Sequence, residues 1–280
     1  MATTAGSSTA PTVSDILAAP LGVSRYLPPT PIIRSPALDE RVGLDLTLKC
    51  ENMQPVGAFK VRGGIYFMSQ LDPEQRARGV AFDACRAEAE ARALRDGMRY
   101  IHPANEPWLL AGVGTYALEL IETAPDLDTV IVPVGGGSGV CGTAIVFKAM
   151  RPQTRVIAVQ TRNMPAVYES FHQKRLVSLE GGNTFAEGLA TRVAFETPFR
   201  IMQELVDDVV LVSEEEMRQA MVLLLDKAHL VSEGAGASSL AAARMLADDL
   251  RGQKVGLIVS GGNVTLDTLR RAICNDAPWQ

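Results

Sequence analysis

The run T-V-I-V-P-V-G-G-G-S-G-V-C-G-T-A-I-V-F-K-A-M, residues 129–150, decides the fold class. After Thr129 its next five residues are apolar at successive positions, as a strand buried on both faces requires. Five glycines then fall within eight positions, at Gly135, Gly136, Gly137, Gly139 and Gly142. From 139 to 150 the spacing turns helical. Strand, glycine turn and helix open a βαβ unit. Glycines also let the backbone approach an anion, and the helix start aims free N–H groups and a positive dipole at it. Gly135, Gly136, Gly137, Ser138 and Gly139 therefore read as a phosphate cradle.

The same rhythm extends to both sides. Downstream, R-V-I-A-V-Q (155–160), D-V-V-L-V-S (208–213) and K-V-G-L-I-V-S (254–260) are strands, with helices predicted over 214–230 and 235–246. Upstream, T-P-I-I-R-S (30–35) and D-L-T-L-K-C-E (45–51) alternate like short strands. Helices are predicted over 58–71, 82–96 (with Gly97 as its stop) and 106–122, and a short strand at R-Y-I-H-P (99–103). The class is α/β: a parallel sheet with helices on both faces. Residues 1–13 read as a disordered tail and 14–275 as the folded domain.

Composition narrows the function. A net charge of −5 without a basic run argues against nucleic acid. No apolar run approaches the roughly 20 residues of a spanning helix, and the N-terminus lacks the apolar core of a signal peptide. A soluble, cytoplasmic protein is expected. Cys50, Cys85, Cys141 and Cys274 stand singly, and His102, His172 and His229 have no companion acids at ligand spacing, so no metal site is expected. Gly137, Gly139 and Gly142 also satisfy G-x-G-x-x-G. A dinucleotide site would need an acid closing the next strand, where Gln160 stands.

The segment 51–64, E-N-M-Q-P-V-G-A-F-K-V-R-G-G, turns at Pro55 and Gly57 and opens a helix at Phe59 and Lys60. A lysine at a helix N-terminus faces an unfavourable dipole, which lowers its pKa and frees the amine for imine formation. Its run Q-P-V-G-A-F-K-V-R-G-G resembles the lysine segment of the fold-type II pyridoxal phosphate enzymes, the tryptophan synthase β-like superfamily, and within it that of the serine/threonine dehydratases and serine racemases. Four further stretches agree in order and spacing: 101–115 (I-H-P-A-N-E-P-W-L-L-A-G-V-G-T), 132–142, 204–216 and 258–263 (I-V-S-G-G-N).

The resemblance implies pyridoxal 5'-phosphate held as a Schiff base on Lys60, which then serves as the Cα base. It implies Phe59 against the cofactor ring, Gly135 to Gly139 on the phosphate, and the Ser260 hydroxyl on the ring nitrogen. A hydroxyl leaves that nitrogen largely unprotonated, which suits β-elimination of a hydroxy amino acid such as serine or threonine. Glu187 and Glu233 resemble acidic positions around the cofactor, and His102 reads as structural. A homodimer without a regulatory domain is implied as well.

The chain departs from that family between the lysine and glycine segments. The family's S-x-G-N-H-G, whose loop grips the substrate carboxylate, is absent, and only 75 positions separate Lys60 from Gly135. This is short by one or two βαβ units of roughly 30 residues. A small domain truncated around 71–105 is expected, leaving either an impaired dehydratase or a non-catalytic cofactor-binding remnant. Ala58 replaces the family's serine two positions before the lysine. Racemase-like relatives bind a divalent cation after the glycine loop; the matching positions here are Gln160, Met164 and Ala166, which offer no carboxylate.

Overall fold

Val130 and Val132 pack on one side of their strand and Ile131 on the other, so apolar cores form on both faces of the sheet. The computed structural model describes residues 10–72, 80–81, 94–97, 99–102 and 104–274. The main sheet joins β1 (Ile32–Ile33), β2 (Asp45–Cys50), β5 (Thr129–Pro133), β6 (Arg155–Thr161), β7 (Asp208–Val212) and β8 (Lys254–Val259) in the order β1-β2-β8-β5-β6-β7. Between β2 and β5, Val80–Ala81 (β3) and Arg99–Tyr100 (β4) form a separate parallel pair.

One core lies under α1 (Val13–Ala18), α4 (Lys60–Gln70), α5 (Pro107–Thr123), α6 (Ser138–Met150) and α8 (Glu196–Leu205); α2 (Pro20–Val23) and α7 (Ala166–Gln173) join the same side. The other lies under α3 (Pro36–Val42), α9 (Glu214–Ala228), α10 (Gly234–Met245) and α11 (Leu266–Cys274). Helices on both faces agree with the expected class. Among the described residues, no helix is long and apolar enough to cross a membrane.

The sheet is mixed rather than wholly parallel. β1 pairs antiparallel with β2, Ile32 opposite Lys49 and Ile33 opposite Leu48. The chain reverses between them through α3, capped by Ser35 and ended by Gly43 at φ 76°, so β2 runs back beside β1. The two residues of β1 are too few for an alternation pattern to reveal direction. The predicted helix over 82–96 lies largely outside the described residues, though Gly97 adopts the left-handed conformation of a helix stop, φ 66°.

Helix α5 is wedged between α4 and α6 by glycine contacts on two sides. A Cβ on Gly112 would stand 2.7 Å from the Arg62 carbonyl oxygen and 2.9 Å from Gly63 Cα; one on Gly142 would stand 2.9 Å from Gly114 Cα. These neighbours are backbone and cannot turn aside. Gly142→Ala should therefore destabilise the fold by about 1–3 kcal/mol, despite the roughly 1 kcal/mol that alanine gains over glycine within a helix. Urea unfolding of the two proteins checks this; a variant as stable as its parent would refute the close-packing account.

Candidate active site

Three parallel neighbours, β2, β8 and β5, end at one edge of the sheet, where open α/β folds form their clefts. The segment after β2 leads to Phe59 and Lys60, that after β8 begins with Ser260, and that after β5 is the glycine run. Phe59, Lys60, Gly135, Gly136, Gly137, Ser138, Gly139, Glu233 and Ser260 all line one cleft, with Pro133, Gly188 and Ala235. The space is small, about 40 Å³, and the Lys60 side chain forms part of its wall.

The lysine and serine segments are laced together by backbone. Phe59 N donates to Ser260 O at 3.2 Å and Gly262 N to Gly57 O at 2.9 Å, while Ala58 bridges Gly261. Asn263 Nδ2 adds a bond to Val56 O at 3.0 Å. Lys60 is the first residue of α4, whose N-cap, Phe59, supplies no side-chain bond. Its Nζ lies 4.8 Å from the Phe59 ring centre. Lys60 opens onto the cleft, yet the protein packed behind it desolvates the ammonium and lowers its pKa; the Glu233 carboxylate opposes that shift. Burial in turn raises the Glu233 pKa, against the pull of Lys60 and of the Asn263 N–H, and with a push from Glu187. Glu187 itself is exposed and outside the cleft lining; its neighbour Gly188 is the residue that enters.

Because the Glu233 carboxylate favours the ammonium, Glu233→Gln should lower the pH at which Lys60 becomes reactive. Reductive methylation of the full chain over a pH series, read on the Lys60 peptide, measures that midpoint. An unchanged or raised midpoint would contradict the coupling.

The glycine run turns at Gly137, φ 100°, into α6, which has no side-chain cap. A Cβ at Gly135 would stand 2.2 Å from Gly188 O, and one at Gly137 2.6 Å from Pro198 Cβ. Side chains are excluded, and the first-turn N–H groups stay available to an anion. Tyr116, fully buried, holds this turn from beneath: its hydroxyl donates to Gly139 O at 2.8 Å and meets Thr143 Oγ1 at 2.8 Å. The Ser260 hydroxyl makes no hydrogen bond to any described residue. An amine, an anion-binding backbone and a hydroxyl on one cleft form a donor set that fits pyridoxal phosphate.

Sequence reasoning missed Gly188, Ala235, Pro133 and Tyr116, whose contacts depend on chain segments far apart. His102 is part of a turn, its Nδ1 accepting from the Ala104 and Asn105 N–H groups at 3.1 Å each. The Gln160 amide oxygen accepts from Val167 N and Tyr168 N at 3.0 Å each, so it caps α7. No cluster of three His, Cys, Asp or Glu stands in metal-binding reach among the described residues. Burial pushes the Cys50 thiol up to about 12 and raises that of Cys141, so neither is a ready nucleophile. A larger groove of about 580 Å³ between α2 and α4 has Arg25 as its one charged lining residue and no anion cradle.

Comparison with known proteins agrees with this geometry. The family model described as "Pyridoxal-phosphate dependent enzyme" matches residues 23–83 and 78–261. The L-threonine ammonia-lyase of Thermotoga maritima is 32% identical, the match covering 94% of this chain and 78% of that protein. The structure of maize serine racemase superposes with a TM-score of 0.86 at 28% identity, over 95% of this chain and 99% of that one. The T.th. threonine deaminase gives 0.84 at 31% identity, over 91% and 99%. The T. maritima alignment runs over 313 positions, whereas 94% of 280 residues is about 263, so about 50 of its positions have no counterpart here. The family match comes in two pieces that meet at 78–83. With both halves of the family pattern present on either side of that junction, the chain belongs to the pyridoxal-phosphate dependent enzymes.

Proposed function

We propose that this chain is a pyridoxal phosphate-dependent ammonia-lyase that removes the β-hydroxyl and then the amino group of serine or threonine, leaving a 2-oxo acid and ammonia. The observation that carries the reading is the convergence of Lys60, the glycine cradle and Ser260 on one cleft, in a chain about 31–32% identical to threonine ammonia-lyases and deaminases.

When bound, the cofactor supplies an electron sink that makes the Cα–H bond of an attached amino acid acidic. Lys60 supplies the amine that attaches it, and afterwards Nζ takes the Cα proton and carries it within the cleft. The lowered pKa of Lys60 favours the unprotonated form that both tasks need. Gly135 to Gly139 and the start of α6 would hold the phosphate. The Ser260 hydroxyl would be the partner of the ring nitrogen, and such a neutral partner would leave that nitrogen largely unprotonated, favouring elimination over transamination. Phe59 would lie against the ring, and the Glu233 carboxylate favours the ammonium form of Lys60. The β-hydroxyl leaves as water, and the resulting enamine hydrolyses to the 2-oxo acid and ammonia.

A second reading, a cofactor-binding remnant without turnover, is favoured by the break at 78–83. Both readings carry the homodimer that the family resemblance implies, which sizing of the purified chain checks. A keto-acid assay on serine and threonine, run on the cofactor-loaded chain, decides between them. Formation of 2-oxo acid above the cofactor-only rate supports the lyase; none, with cofactor bound, supports the remnant.

A further inference from the structure

Arg62 follows Lys60 by two positions and is among the largest fully buried side chains, 1% exposed. Its guanidinium is held on two sides by paired carboxylate contacts. Nε and Nη2 donate to Glu51 at 2.8 and 2.9 Å, and Nη1 and Nη2 to Glu119 at 2.6 and 2.8 Å. Thr115 and Thr30 hydroxyls complete the shell at 3.2 and 3.4 Å. Lys49, 0% exposed, bonds Glu119 and the Thr30 carbonyl, so two cations face two carboxylates. Such doubly bidentate geometry is particular to arginine.

The cluster sits at both ends of the lysine segment. Glu51 directly follows β2, Arg62 lies in the first turn of α4, and the intervening residues carry Lys60 into the cleft. That turn lacks a side-chain cap and starts with a cation, which the helix dipole disfavours. Residues two apart on a helix point to opposite sides. With Arg62 drawn into the core, Lys60 is turned outward to the cleft.

We propose that Arg62, clamped by Glu51 and Glu119, is a positioning residue for Lys60: it fixes the rotation of the first turn of α4 and so the direction of the amine. The proposal rests on the reading of Lys60 as the cofactor-bearing amine. A purely structural cluster would contribute to stability alone, whereas a positioning clamp also sets the reactivity of Lys60.

The test uses the full chain with Arg62→Lys and Arg62→Met. Before cofactor is added, reductive methylation of Lys60 is compared with that of exposed Lys254 in the same sample. The cofactor-loaded proteins are then assayed for kcat and KM. Arg62→Lys keeps the charge but not the paired geometry. It should change the relative labelling of Lys60 by about 3-fold or more and lower kcat by about 10- to 100-fold with KM changed by less, the signature of a displaced reacting group. Arg62→Met should do more; where it does not fold, Arg62→Lys decides. A lowered melting temperature with parental relative labelling and parental kcat in Arg62→Lys would overturn the proposal. Should the parent fail to take cofactor at Lys60, the cofactor reading fails, while the labelling comparison still decides whether the clamp controls that amine.

Discussion

Lys60→Ala should lose covalent cofactor attachment altogether and lower kcat/KM on serine or threonine by about 10³-fold or more. The chain has six lysines, at 49, 60, 148, 174, 227 and 254, and Lys60 is the one that lines the cleft. Lys49 is fully buried and committed to Glu119 and Thr30, so it cannot substitute. Removing a positioned proton-transfer group alone costs about 10²–10⁴-fold, and here the same amine also attaches the cofactor. The glycine cradle is untouched by the change, so the variant should still bind the cofactor, by its phosphate and reversibly. Borohydride treatment of the parent should fix the cofactor on the tryptic peptide 50–62, since a modified Lys60 blocks cleavage at that site. Attachment at another lysine, or parental activity in Lys60→Ala, would sink the assignment.

The parts legible in the sequence are those whose cause is local. A run of apolar residues, a glycine turn and a helical period lie side by side in 129–150, and that stretch folds as β5, the glycine turn and α6. Lys60 and Ser260 were legible through motif chemistry, although their shared cleft is made by backbone pairing between segments 200 positions apart. What escaped reading depends on partners that no spacing encodes. Arg62 meets Glu119 across 57 positions and Lys49 meets it across 70. Gly112 gives no sign in the sequence of the backbone of α4 that closes on it, nor Gly142 of the backbone of α5. The antiparallel edge strand β1 is too short to carry a pattern, and Gln160 reads as an absent acid when its amide is a helix cap.

Inserting a relative's segment of about 50 residues after Val80 should raise kcat/KM on serine and threonine by about 10² to 10⁵-fold while changing cofactor affinity little. The asymmetry of what this chain retains motivates the expectation. Lys60, Gly135 to Gly139 and Ser260 all stand on the main sheet and share one cleft. The family match breaks at 78–83, and S-x-G-N-H-G, whose loop holds the substrate carboxylate in the resembling enzymes, is absent. Such a loop supplies two or three hydrogen bonds to a charged carboxylate, each worth roughly 1.5–3 kcal/mol. Such bonds are not fully additive, and their joint loss costs on the order of 3–7 kcal/mol, which converts to the stated range. A cleft that cannot close also admits water to the reacting groups, adding to the deficit. Steady-state kinetics on the parent and the insertion variant, each with its cofactor Kd, measures the effect. The substrate loop acts on the amino acid and not on the phosphate, so a rise in kcat/KM at constant cofactor Kd is the expected signature. Equal kcat/KM in the two proteins would mean that this chain holds the substrate carboxylate with residues of its own.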